Sequence, residues 1–547
     1  MSWTIKIPVF LLLVLLNFYN SLPPLNLRSV QFWFFVITCL IIYIFVDFLT
    51  AFYLNLRYRH QNDYDEAPYI YRWMDDIRMG LHGNFGRILR AIIGIIIFLI
   101  FSGFLGHPLL WSGSYYNLLK TEDGNFSKDV SQISAKNIPV VDKDSASRLG
   151  KRKLGEMSDL VSQFEIADDY TQINYQGSPY RVTPLCYGDK IKWLTNFSNG
   201  IPAYLTVNMV TQESNLVRLP QGIRYSESEL FFRDIHRHLR FMHPTKIFDT
   251  VRFEIDDKGT PYWIAPTITY KIAVFSGEDI DGAVLVNAIT GESKYYALKD
   301  IPPWVDQVFS ADLVMQQLIY HGRYKDGFIN AYLGQKGVLK PTNGYNYLAI
   351  GDDVYLYTGL TSVMSDASNV GFVLVNMRTK EAKFYNVPGA EEISAMDSAE
   401  GKVQNLKYKS TFPILLNIKN KPTYFMSLKD SAGLVKMYAF VDVQQYQIVG
   451  TGTTVSEALN NYFAAFGGEA ASAPDPSGLK ETKGQITAKS EAVVSGNTCY
   501  YFILTSDKKI YRASINISER LPFLKVGDTI SFTYTDSGSI GEIKELK

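Results

Sequence analysis

Asp281-Gly-Ala-Val-Leu-Val-Asn-Ala-Ile-Thr-Gly-Glu-Ser-Lys-Tyr-Tyr-Ala-Leu298 decides the reading of this chain. It is an apolar run of strand length, a Thr-Gly turn, and a second run carrying charge and aromatics, which together spell a β-hairpin. The pattern returns at 203–219 (AYLTVNMVTQESNLVRL), 371–387 (GFVLVNMRTKEAKFYNV) and 437–450 (MYAFVDVQQYQIVG). Before each hairpin lies another strand that opens on a turn: Gly177-Ser-Pro-Tyr-Arg-Val182, Gly259-Thr-Pro-Tyr-Trp-Ile264, Asp353-Val-Tyr-Leu-Tyr357 and Lys421-Pro-Thr-Tyr-Phe-Met426. Apolar positions at helical spacing over 226–242, 303–321, 391–399 and 454–466 supply a helix to cover each sheet. Four sheet-plus-helix units in tandem follow, repeats one and two over 167–300 and three and four over 301–466.

Residues 226–298 resemble a PepSY-like domain, through the helix, Phe253-Glu-Ile-Asp-Asp-Lys-Gly-Thr-Pro-Tyr-Trp-Ile264 and Leu285-Val-Asn-Ala-Ile-Thr-Gly-Glu292. The resemblance implies a helix, an antiparallel sheet and a closing hairpin in an exported, membrane-attached protein linked to protease inhibition or envelope sensing. It implies no catalytic residue. Asn287 stands where that family often has Asp, and of the four copies only Asp442 carries the acid.

Ahead of the repeats the chain is strongly apolar. Three runs, at about 3–22, 31–54 and 88–111, read as membrane spans within a region 1–111, since a span takes roughly 20 mostly apolar residues. A signal peptide is the other reading of the first run, but Lys6 makes a weak basic start and no small-residue cleavage site follows. Arg57, Arg59, Arg72, Arg78, Arg87 and Arg90 lie between the second and third runs, against Arg28 alone between the first two. Basic loops stay inside, so the N-terminus is expected in the cytoplasm and the chain beyond about 112 outside. Asp47 is the one carboxylate within a span, a functional candidate by its cost, and near enough the cytoplasmic end to reach headgroup water or Arg57. Residues 112–166 read as a polar stalk ended by a short helix at about 155–166, 467–480 as a Gly/Ala/Ser/Pro linker, and 481–547 as a five-stranded barrel of OB type.

The chemistry is mostly exclusion. Net charge is zero, and from Lys480 to Lys547 ten basic residues face eight acidic ones, so a nucleic-acid partner is not expected despite Tyr500, Tyr501, Phe502, Tyr511 and Tyr534. No Walker loop, GxSxG elbow or Rossmann fingerprint occurs. His236, His238 and His243 lack the spacing of a metal site, and Glu278-Asp-Ile-Asp-Gly282 lacks that of an EF-hand, so no metal or cofactor is expected. Cys39, Cys186 and Cys499 form no disulfide framework, though Cys186 and Cys499 leave one bridge open. Phe328, Ile329, Tyr332 and Leu333, in an apolar segment among Gly turns, are the candidate surface for a protein partner. The expected protein is a multi-pass, membrane-anchored binding or scaffolding module at a bacterial cell envelope, with membrane lipid and an envelope protein as partners. An envelope sensor and a cell-wall-active enzyme are the alternatives.

Overall fold

A computed structural model describes residues 3–59, 84–133, 135–363, 365–466, 479–494, 497–506, 509–518, 520–537 and 540–546. The chain is mixed α+β and divides into two compact units, Met1–Ala465 and Phe466–Lys547. Both the Arg-rich loop and the linker fall largely outside the described residues.

The larger unit begins with three apolar helices, α1 (Trp3–Ser21), α2 (Val30–Arg59) and α3 (Asn84–Leu105). Two of them, not three, hold a stretch long and apolar enough to cross a membrane: Val30–Thr50, of mean hydropathy 2.5, and Phe85–Leu105, of 2.6. The apolar part of α1 among the described residues is shorter, Lys6–Ser21. The reason for that lysine lies in the neighbouring helix. Lys6 forms an ion pair with Asp47 and reaches the Tyr43 hydroxyl at 3.3 Å, while Phe18 meets Phe35 at the opposite end, so α1 and α2 lie antiparallel.

Four mainly antiparallel sheets follow, with strands spanning 164–223, 252–297, 339–390 and 409–452. Each contains one of the hairpins read from the sequence, and all four turns are closed in the same way. Asn208, Asn287, Asn376 and Asp442 each accept two backbone N–H groups on Oδ1, from the residues two and three positions on, at 2.7–3.0 Å. A short polar side chain that folds back on its own turn satisfies donors that the strand ladder leaves over. The next residue, Met209, Ala288, Met377 or Val443, is buried in every copy. Its carbonyl accepts an N–H from the segment leading into a helix: from Val140 and Val141, from Arg224 and Tyr225, from Val308 and Phe309, and from Ala390.

Those bonds set the order within a unit. The helices concerned are α5 (Lys143–Gly155), α7 (Ile235–Met242), α8 (Ala311–Tyr324) and α9 (Glu392–Lys402), so each helix comes before the sheet whose hairpin it hangs from. A fifth helix, α10 (Val455–Ala465), adds to the fourth sheet. The segment 112–166 is accordingly no stalk. Helix α4 (Pro108–Tyr116) packs on α8, strand Thr121–Asp123 joins the third sheet beside Ala382–Tyr385, and α5, not a helix at 155–166, covers the first sheet. Burial of Ala146, Gly150 and Leu154 holds α5 in place.

The units share cores. Ile264 and Leu285 of the second sheet, Val314 and Leu318 of α8, and Val354 and Val373 of the third sheet form one cluster. Tyr357 and Phe372 of the third sheet join Tyr424 and Met426 of the fourth in another. The fourth sheet returns to the first unit, where Lys429 pairs with Asp142 and Tyr438 accepts a bond from Gln212 at 3.2 Å.

In the smaller unit the strands pair in the order Leu479–Val494, Asn497–Leu504, Ile510–Ser514, Ile540–Leu546, Thr529–Ser537, and the last pairs back to the first. This fits the expected OB-like barrel. Phe502, Tyr511 and Phe532 fill its core together with the more peripheral Tyr500 and Tyr534. Cys39, Cys186 and Cys499 are all free thiols.

Candidate functional site

Where α3 ends, the chain runs against the second sheet. A Cβ on Gly106 would lie 2.0 Å from Ser276 Oγ, and Phe98 of α3 packs on Phe275 with ring centroids 5.9 Å apart. Beside this contact, bounded by α4, α8 and strand Ser276–Asn287, is a cleft of about 500 Å³. Three carboxylates line it, Asp249, Glu278 and Asp312, with the hydroxyls of Tyr115 and Tyr320 and no basic side chain.

Each carboxylate is placed by a different element. Asp249 follows α7 in a segment fixed by its own N–H to the Pro266 carbonyl at 2.9 Å; its Oδ1 accepts the Thr250 N–H, and its Oδ2 is buried without a partner. Glu278 begins the strand that leads into the second hairpin, and its backbone carbonyl accepts from Gln317 Nε2 at 2.8 Å. Asp312 sits in the first turn of α8, which Ser310 caps through the Leu313 N–H, and a carboxylate there is stabilised by the helix dipole. Burial, and then the charge of Asp249, raise the Glu278 carboxyl above its ordinary range against the opposing bond from the Tyr270 hydroxyl. Burial also raises Tyr115, whose hydroxyl donates to the Gly106 carbonyl at 2.6 Å, and Tyr320, 4.7 Å away edge to face.

An acidic hollow with aromatic walls suits a ligand carrying positive charge or many hydroxyls, because uncompensated carboxylates raise the local concentration of cations and accept hydrogen bonds. Among the described residues no group of three His, Cys, Asp or Glu is arranged to hold a metal ion.

The residues singled out in the sequence are placed elsewhere. Asp47 pairs with Lys6 and so ties α1 to α2. Phe328 packs against His107 and Tyr332, in a helical turn that continues into a π-turn, Asn330–Gly334, beyond α8; Ile329, Tyr332 and Leu333 are exposed. The three histidines diverge: His236 faces Glu227 at 3.5 Å, His238 bonds the Gly291 carbonyl at 2.7 Å, and His243 bonds Ser293 Oγ at 3.1 Å. Two of them therefore fasten α7 to the Thr-Gly-Glu turn. The acidic run 278–281 is divided as well, with Asp279 paired to Lys380 and Asp281 accepting the Thr267 hydroxyl. Sequence reasoning missed the cleft because Asp249, Glu278 and Asp312 come from three segments with no shared spacing. Only the lone Glu278 lay in a stretch already under scrutiny.

The chain matches no protein-family model and no curated protein sequence.

Proposed function

We propose that this is a membrane-anchored extracytoplasmic protein that works by binding, its four PepSY-like units forming the body and its OB-like barrel an appended module. In this reading α2 and α3 cross the membrane with α1 packed antiparallel on α2, the basic loop between α2 and α3 is cytoplasmic, and the body stands outside a bacterial cell. One observation carries it: the turn between α1 and α2 is bonded into the second unit. Arg28 donates to the carbonyls of Tyr270, Ala273 and Val274, the Leu25 N–H donates to Pro244, and Arg240 Nε donates to Leu22. The exit of α3 at Gly106 meets the same sheet. Crossings by α2 and α3 with both of these points on one side leave the basic loop on the other, as the positive-inside rule requires.

Topology is tested by labelling intact cells with a membrane-impermeant maleimide. With Cys39 and Cys186 replaced by Ser, cysteine at the exposed Thr211 is expected to react in whole cells, and cysteine at Gln61 only after permeabilisation. The reverse pattern would overturn the reading.

A second reading, an enzyme acting on cell-wall polymers, is favoured by Glu278 and Asp249 lining one open cleft, where burial and the charge of Asp249 raise the Glu278 carboxyl. A pair of carboxyl groups facing one cleft is the means of acid–base cleavage of glycosidic bonds. On that reading the full chain degrades a wall polymer and Glu278→Gln lowers the rate at least about 100-fold, the scale of a lost general acid; parent protein inactive on wall glycans, or equal rates for both, sinks it.

A further inference from the structure

We propose that two apolar aprons, one on either side of the α1–α3 bundle, lie in the outer headgroup layer of the lipid bilayer, so that the body rests on the membrane surface. This depends on the membrane-anchored reading above and adds to it where, and by which residues, lipid is touched.

The first apron spreads from the end of α1. Phe18 packs on Phe241 and Tyr19 on Phe232, with ring centroids 6.0 and 6.2 Å apart, and Phe232 meets Phe241 in turn. From there the surface runs to helix α6 (Lys190–Asn196), where Trp193 touches Phe231 and stacks on Phe197. Ile191 is 75% exposed, Leu194 62%, Phe231 61% and Phe232 64%. Water-facing aromatics and aliphatics this dense mark a surface with an occupant. Phe231 has φ +55°, a left-handed conformation that bulky residues avoid, and it holds the ring outward.

The second apron begins where α3 stops. Trp111 Nε1 donates to the Leu105 carbonyl, Leu109 and Leu110 are about half exposed, and His107 carries the chain against Phe328. Ile329, Tyr332 and Leu333 complete this side, Leu333 at 84% exposure. The residues expected to meet a protein partner are thereby assigned to lipid.

Three features choose lipid as the occupant. Each apron is continuous with the last turn of an apolar helix, so both lie at the level where spans leave the hydrocarbon. Their composition, Trp, Tyr and Phe with aliphatics, is that of the membrane interface. Basic groups line the first apron: Arg233 stacks over Phe197 and Arg237 over Tyr19, with Lys190 and Lys192 on α6. The nearby acids are engaged, Asp189 capping α6 and Asp234 capping α7. Aromatic-rich faces edged with Lys and Arg bind anionic bilayers.

The test uses the full chain with Cys39→Ser and Cys186→Ser, reconstituted in vesicles of phosphatidylethanolamine and phosphatidylglycerol. Single spin labels are placed at Leu194→Cys, Leu333→Cys, Leu434→Cys and Ile41→Cys, all at exposed positions that tolerate the change. Accessibility to oxygen is compared with accessibility to a nickel chelate. Labels at 194, 333 and 41 are expected to favour oxygen several-fold relative to the label at 434. If 41 favours oxygen while 194 and 333 match 434, the aprons are in water and this inference fails alone. Labels at 194 and 333 reached by neither reagent would mean a protein covers them, which also overturns it. If 41 itself favours nickel, the anchoring reading falls first and this one with it.

Discussion

At the scale of single residues, the four Asx side chains show how little sequence identity a repeat needs. Asn208, Asn287, Asn376 and Asp442 keep one acceptor atom in one place, while around them only the preceding Val recurs in all four copies. Only the oxygen matters to the two N–H donors, so Asn287→Asp is expected to leave stability within about 0.5 kcal/mol, whereas Asn287→Ala costs about 1 kcal/mol, the net worth of such bonds. Denaturant titration of the full chain in detergent checks this; equal losses from both variants would show that the amide, not the acceptor, is required. The hairpins were legible because apolar alternation and turn residues are local signals. The double acceptance by Asn287 was not, since a Thr-Gly pair accounts for the turn equally well on paper.

At the scale of elements, α5 is the instructive failure. Its buried positions are Ala146, Gly150 and Leu154, too small to draw an apolar stripe through a segment dense in Lys and Arg. Close packing demands that smallness: a Cβ on Gly150 would lie 2.5 Å from Leu205 Cδ2 and 2.6 Å from the Tyr170 hydroxyl. The helix is held at its start by Asp142, which caps the Ser145 N–H and pairs with Lys429 of the fourth sheet. Burial works against the charge on Asp142, but Lys429 and the Ser145 hydroxyl and amide outweigh it and keep the carboxyl below the usual range. Asp142→Ala is expected to cost at least about 1 kcal/mol, the value of a lost N-cap. A melting temperature unchanged in that variant would return 112–166 to the role of a stalk. Helices α7 and α8, with large buried residues at regular spacing, were legible in outline, though both begin later than the spacing suggested.

At the scale of the molecule, the first three units meet at a buried acid pair. Glu254 of the second sheet accepts the N–H groups of Asp306 and Gln307, and Asp306 Oδ2 accepts the Asn174 N–H of the first sheet at 2.7 Å. Asn174 Nδ2 donates to the Gly351 carbonyl of the third unit, and Asp306 Oδ1 has no partner. Burial raises both carboxyls, and their mutual repulsion raises Asp306 further. Acids raised in the folded state keep protons that the unfolded chain gives up near pH 4, so this junction weakens as pH climbs from about 4 toward the raised values. Asp306→Asn has no such proton at that site and retains an acceptor for Asn174. Melting curves against pH are expected to converge near pH 4 and to separate in favour of the variant as pH rises; curves that stay parallel would remove the linkage. Nothing in the sequence announced this junction or the acidic cleft, because both are assembled from separate segments tens of residues apart, where periodicity carries no information. What it did announce was the apolar N-terminus and the recurrence of the hairpin.

The turn between α1 and α2 has a timing problem. Its hydrogen-bond partners lie 218 to 246 residues further along the chain, at Arg240, Tyr270 and Val274. At ordinary rates of translation those residues emerge about 10 to 50 seconds after the turn itself. During that interval the turn is held only through its helices, by the pairing of Lys6 with Asp47 and by the packing of Trp33 on Phe98 of α3. The ion pair is then a fastening for the nascent chain, in place well before the second unit takes hold of the turn.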